Sequence, residues 1–136
     1  MRTWKAGEMA PGRGPIERID AVTLVTVDMG EAVAFYLALG FEIAYGGTEA
    51  EFTSLRAGDG YLNLQLDRGA ARPVQPWGRV ILFVDDVDGL HHRCIEAGLA
   101  PSTAPADAPW GERYFHLRDP DGHELSFARP LPTRGR

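Results

Sequence analysis

A chain of 136 residues, 44% hydrophobic and 24% charged, holds enough apolar material for one compact core or for two small halves that share one. Its 14 basic and 19 acidic side chains give a net charge of −5 with no basic cluster outside the two tails, which argues against a nucleic-acid partner. Apolar runs such as residues 80–84 are far too short to span a bilayer, and a single cysteine excludes both an intrachain disulfide and a cysteine-based zinc cluster.

Residues 1–17 are rich in Gly and Pro and lack an apolar h-region, so they read as a loose tail rather than a secretion signal, and a cytoplasmic location is the expectation. Residues 19–27 alternate and are rich in Val and Thr, which predicts a strand. Asp28 and Glu31 have capping-box spacing ahead of a helix with Ala32, Val33, Tyr36 and Leu39 on its apolar stripe, and Gly40 is the expected left-handed stop. Short strands over 41–45, 51–55 and 61–66 complete a β-α-β-β-β unit spanning residues 18–67. Residues 68–77 are the linker.

The second half, residues 78–130, repeats the order. A strand over 78–84 leads to Asp85 and Asp86 as caps, a helix over 87–97 and Gly98 as its stop. A weak strand over 99–103 and a loop over 104–109 are expected next, then strands over 114–118 and 123–128 joined by Asp119-Pro120-Asp121-Gly122. The aspartates of this turn read as turn formers rather than catalysts. Cys94 falls on the helix as a small core residue. Val27-Asp28 and Val84-Asp85 stand 57 positions apart, and Gly40 and Gly98 stand 58 apart, so the chain is an internal duplication. Residues 131–136 form a polar tail.

Strand parity assigns two faces. One is almost purely apolar, from Val22 and Leu24 through Leu62 and Leu64 to Leu125 and Phe127, and suits two amphipathic helices. The other is mixed, with Phe52, Tyr61, Asn63, Gln65, Arg79, Phe83, Tyr114, His116 and Ser126. Such a face either lines a ligand cavity or is an ordinary wet surface; its aromatic content favours the cavity. Trp110 is either a flat wall for a planar ligand or rim packing, and Trp77 could serve similarly.

The run Phe35-Tyr36-Leu37-Ala38-Leu39-Gly40-Phe41, the hairpin Asp119-Pro120-Asp121-Gly122-His123 and the segment Pro109-Trp110-Gly111 with Arg113 and Phe115 together resemble signatures of the vicinal oxygen chelate superfamily. That group includes glyoxalases, bleomycin-resistance proteins and extradiol dioxygenases, and the resemblance covers residues 18–130. It implies an α+β fold of two βαβββ modules forming a cupped mixed sheet with helices on the convex face, and a homodimer in which modules or strands are sometimes exchanged.

Metal-dependent members hold a divalent ion at four cup positions, which the resemblance carries onto Ala21, Asn63, Arg79 and Ser126. Alanine cannot coordinate, arginine is a permanent cation, and Asn and Ser are weak neutral donors. His91 and His92 are adjacent on a helix, while His116 and His123 lie on opposite strand faces, so neither pair rescues a metal site. No metal or other cofactor is expected. Tyr114, His116 and Glu124 could act as acids or bases without one, but a Glu124–Arg79 salt bridge is the favoured reading. The leading expectation is therefore a metal-independent binding protein of the bleomycin-resistance type that sequesters an aromatic or amphipathic metabolite or antibiotic. Phe52, Tyr61, Phe83, Trp110 and Tyr114 would stack, while Asn63, Gln65, Arg79, His116 and Ser126 would orient the ligand. A lyase- or dioxygenase-like enzyme acting on a small oxygenated metabolite is the alternative, and a purely structural or regulatory dimerisation module is the third.

Overall fold

The computed structural model describes residues 14–132, so most of the N-terminal tail and the last four residues lie outside the described residues. The order is β1 (Ala21–Thr26), α1 (Met29–Leu39), β2 (Glu42–Tyr45), β3 (Phe52–Ala57), β4 (Gly60–Leu66), β5 (Arg79–Phe83), α2 (Val87–Glu96), β6 (Ala106–Asp107), β7 (Glu112–Arg118) and β8 (Glu124–Pro130). The strands form two four-stranded sheets with matching orders, β1-β4-β3-β2 and β5-β8-β7-β6. In each, the first strand runs parallel to the fourth and the remaining pairs are antiparallel. The fold is α+β, and its duplicated topology repeats the duplication in the sequence.

The apolar strand face is buried as parity requires. Leu24, Leu55, Leu62, Leu64, Phe115, Leu117, Leu125 and Phe127 join residues of both helices in a single core, with Val22, Leu66, Val80, Leu82 and Val84 packed against it. The helices contribute unequally: α1 buries Met29, Ala32, Val33, Phe35, Tyr36 and Leu39, whereas α2 buries only Val87 and Cys94. Arg93 on α2 ties the two together by donating from Nε to the Ala38 carbonyl at 2.9 Å.

Local details sharpen several expectations. Asp28 caps α1 by accepting the Glu31 N–H, but the reciprocal half of the box is missing: the Asp28 N–H donates to Thr26 Oγ1 and the Glu31 carboxylate pairs with Arg72. Gly40 ends the helix at φ 104°, a conformation few side chains tolerate. In the second half, Asp86 rather than Asp85 is the cap, its carboxylate accepting the Gly89 N–H. The predicted strand over 99–103 does not form. Pro101 removes an amide donor from that segment, which meets β7 only through the Ser102 N–H on the His116 carbonyl and the His116 N–H on Thr103 Oγ1, and the two-residue β6 forms just beyond, inside the predicted loop.

Candidate functional site

The helix-free face of the second sheet is read most easily by register. Across β5, β8 and β7 lie three rows: Arg79–Glu124–Arg118, Ile81–Ser126–His116 and Phe83–Ala128–Tyr114. The central strand carries small residues, and the outer strands carry large ones. Ser126 and Ala128 are 4% and 1% exposed although they point away from the helices, while Ile81 and Phe83 beside them are 59% and 62% exposed. The result is a trough floored by β8, with walls on strands about 10 Å apart, twice the interstrand spacing.

One wall is an aromatic run. Trp110 stacks on Tyr114 with ring centroids 5.9 Å apart and planes inclined by 26°, and Tyr114 lies 5.0 Å from the His116 ring. The Trp110 indole N–H donates to Glu112 Oε1 at 3.1 Å, which fixes the ring at the end of β7. At the other end Arg79 reaches over β8, and its Nη1 meets His116 Nε2 at 2.9 Å. A guanidinium only donates, so Nε2 is the acceptor and the imidazole is neutral with its proton on Nδ1. Burial, then the adjacent Arg79 charge, hold the His116 pKa below the ordinary imidazole value. The expected Arg79–Glu124 pairing is present but long, 3.7 Å from Nη2 to Oε2, and Arg118 approaches the same carboxylate at 4.0 Å.

The predicted residues of the first sheet form a separate surface. Asn63 donates from Nδ2 to Thr23 Oγ1 at 3.3 Å, and its Oδ1 is buried without a partner. Gln65 Nε2 is spent on the Glu51 carbonyl at 3.2 Å, and Phe52 is partly buried opposite Gln65. Two cavities lie along the free edge of β5. One of about 440 Å³ brings Tyr61 and Trp77 together with Arg79 and Ile81; the other, about 550 Å³, has Phe83 and Ile81 facing the end of α1 and the β3–β4 turn. Arg118 and Ala128 belong to the trough without having been singled out from sequence. The parity of Arg118 with His116, and the pairing of small with large residues across the strands, were the available signals.

The Asp119–His123 turn does more than turn. Asp119 Oδ1 accepts the N–H groups of Asp121 and His123, while its Oδ2 accepts the Tyr36 hydroxyl of α1 at 2.7 Å. Asp121 Oδ1 accepts the Val27 N–H at 3.0 Å. The Trp77 indole donates to His123 Nδ1 at 3.0 Å, so Nε2 carries the proton and donates to the Val25 carbonyl at 2.8 Å. Gly122 is required here: a Cβ at its position would meet Pro73 Cβ of the linker at 2.8 Å. These residues are a clasp between the halves. Burial pushes the Asp119 carboxyl up, and burial with the neighbouring Asp119 charge pushes the Tyr36 phenol well above its usual range.

Residues 18–127 match the family model described as the Glyoxalase/Bleomycin resistance protein/Dioxygenase superfamily. The chain belongs to that superfamily. A bleomycin resistance determinant encoded on the transposon Tn5 superposes with a TM-score of 0.70 at 26% identity, covering 84% of this chain and 98% of that one. A bleomycin-binding protein complexed with bleomycin gives 0.67 at 26% identity, with the same 84% and 98% coverage. TioX from Micromonospora sp. ML1 gives 0.66 at 28% identity, over 85% of this chain and all of that one. Among curated sequences, an uncharacterized protein of Mycobacterium bovis is 42% identical over 50 residues; the match spans 37% of this chain and only 33% of that relative.

The divalent ion of metal-dependent superfamily members does not fit the residues here. Ala21 offers no donor, Arg79 places a cation already bonded to His116, and Ser126 is a neutral hydroxyl. The unpartnered Asn63 Oδ1 is a single neutral acceptor. Among the described residues no three His, Cys, Asp or Glu side chains converge on a point that could hold a metal. No helix among those residues is long and apolar enough to cross a membrane.

Proposed function

We propose that this protein binds and sequesters a small aromatic or amphipathic molecule, a metabolite or an antibiotic, in the cytoplasm and without a metal. The trough on the second sheet carries this reading. Exposed Phe83 on one wall and the stacked Trp110–Tyr114 pair on the other offer a flat ligand apolar contact on both sides, and Arg79 and His116, with Ser126 beneath them, offer polar orientation at one end. Phe52, Tyr61, Asn63 and Gln65 form a second aromatic and polar surface on the other sheet. The bleomycin bound in a structural relative supports a small-molecule ligand as the class.

The working unit we propose is a twofold homodimer. Among the described residues the outer edge of β5 has no strand partner, and Ile81 and Phe83 along it are mostly exposed, an arrangement that favours cover by a second chain.

Native mass spectrometry of the protein isolated from its own host tests the binding reading. The expected result is a co-purifying small molecule that disappears in Trp110→Ala and Tyr114→Ala. Light scattering should give twice the 14.9 kDa chain mass. Elemental analysis should find well under one equivalent of Zn, Ni, Mn or Fe. Stoichiometric metal that is lost on changing Asn63 or Ser126 would overturn metal independence.

A further inference from the structure

The charged end of the trough narrows the ligand further. We infer that the trough takes a planar aromatic molecule bearing a carboxylate or equivalent oxyanion, with the anion seated between Arg79 and Arg118. This rests on the binding reading above and adds to it the sign of the ligand's charge.

Two guanidiniums in the row Arg79–Glu124–Arg118 share one carboxylate, and both approaches, 3.7 and 4.0 Å, are longer than a hydrogen bond. The one short polar contact of the Arg79 guanidinium among the described residues is to the neutral His116 ring. The end of the trough therefore carries one surplus positive charge in a chain whose net charge is −5. Most of its donors face solvent: Arg118 is 66% exposed at the side chain, and Arg79, which commits Nη1 to His116, is 41% exposed. The other carboxylate on the β7 wall, Glu112, sits at the opposite end and accepts the Trp110 indole N–H, so it does not neutralise the arginines. The carboxylates of Asp119 and Asp121 belong to the clasp and are nearly inaccessible.

Geometry supplies the rest. The aromatic run Trp110–Tyr114–His116 leads along β7 directly to Arg118, and Phe83 and Ile81 lead along β5 to Arg79. A planar ring lying over Ala128 and Ser126 would project a substituent toward both guanidiniums. Arginine offers a carboxylate two parallel N–H donors, and such charge-assisted bonds are stronger than neutral ones. A cation at the same place would meet like charge.

Three probes that differ only in charge test this: 2-naphthoate, 2-naphthamide and 2-naphthylmethylammonium, titrated calorimetrically into the full chain. Wild type should bind the carboxylate at least about tenfold more tightly than the amide, and the ammonium most weakly, the usual scale of a charge-assisted hydrogen bond. Arg79→Gln should abolish the carboxylate preference by weakening the carboxylate far more than the amide, and Arg118→Gln should reduce it several-fold. Should Arg79→Gln fail to fold, Arg118→Gln decides alone. Equal affinity for the three probes, or a preference that survives in every folded variant, would overturn the charge assignment and leave the binding reading standing. Failure of wild type to bind any of the three would overturn both.

Discussion

On the first sheet the central strand β4 raises Tyr61, Asn63 and Gln65 above the helix-free face, with only Ala21, Thr23 and Val25 beside it on β1. On the second sheet the central strand β8 lays down Ser126 and Ala128 on its floor, with Arg79, Ile81 and Phe83 beside it on β5. Ala21 and Arg79, Thr23 and Ile81, and Val25 and Phe83 occupy equivalent places, each pair 58 positions apart in the sequence. Exchanging large for small between two neighbouring strands turns a ridge into a trough while the backbone topology is unchanged. Asp28 and Asp86, the two helix caps, keep the same spacing of 58, so the scaffold is conserved in register where the surfaces diverge.

The halves differ on their helix-free faces but share their core, and this makes the largest expected effect a symmetric one. Leu62 and Leu125 are equivalent residues, 1% and 0% exposed, that face α1 and α2 in a single cluster. Each Leu→Ala change should cost about 2–5 kcal/mol, and both should shift one cooperative denaturant transition. Two separable transitions, with each variant moving only its own, would show that the halves fold independently.

A smaller effect is expected at the clasp. Tyr36→Phe removes the donor that satisfies Asp119 Oδ2 in a buried setting, at a cost of about 1–3 kcal/mol. Asp119→Asn should be milder, because the amide oxygen can keep the two backbone N–H bonds while its nitrogen donates to the phenol oxygen, and no buried charge remains. A thermal melt in which Tyr36→Phe is neutral would mean that this bond does not hold the halves.

Much of this was legible in the sequence because period-two alternation decides which strand face meets the helices; β1, β3, β4 and β7 show it in their burial, whereas β8 buries Ser126 and Ala128 as well as Leu125 and Phe127. The helices were legible from their stripes and stops. The clasp was not: Asp119 Oδ1 is satisfied by turn N–H groups within five residues, and nothing in that local pattern says that its Oδ2 reaches Tyr36 or that Asp121 Oδ1 reaches Val27, more than eighty positions away. The trough was half legible. Parity placed Tyr114, His116 and Ser126 on one face, but its depth depends on which strands are neighbours. That information lies in the parallel β5–β8 pairing rather than in either strand. The strand expected at residues 99–103 failed for a local reason, since Pro101 at its centre withholds an amide that a ladder needs.

The contrast between trough and ridge is sharpened by ligand binding. Trp110→Ala removes the stacked end of the wall and should weaken a bound aromatic probe by about 0.5–1.5 kcal/mol. Phe83→Ala, on the opposite and mostly exposed wall, should weaken it by a similar amount. Tyr61→Ala, on the ridge, should do less than either when measured by the same titration. A larger effect at Tyr61 than at Trp110 would move the ligand to the first sheet.

The smallest effect concerns pH and the helix-free face of the second sheet, where the pKa of His116 is displaced. Its folded pKa lies below the ordinary 6.5, so in the window beneath 6.5 the unfolded chain takes up a proton that the folded chain resists. Stability attributable to His116 is therefore fully present above that value and declines as pH falls through the window toward the folded pKa. Protonation would also remove the acceptor for Arg79 and set two cations 2.9 Å apart. Asp119 acts in the opposite sense. Its carboxyl is raised above the ordinary 3.8, so the stability it contributes is greatest below that pH and is lost as pH rises through its folded pKa. The two are distinguished by variants: His116→Gln, whose amide oxygen can still accept from Arg79, should flatten the slope just below pH 6.5 and leave the acid limb untouched. Direct NMR titration of His116 should give a midpoint below that of a free imidazole, and Arg79→Gln should raise it only part of the way, because burial is the larger of the two causes. Full recovery in Arg79→Gln would mean that the ring is solvated and the trough is shallower than the buried floor implies.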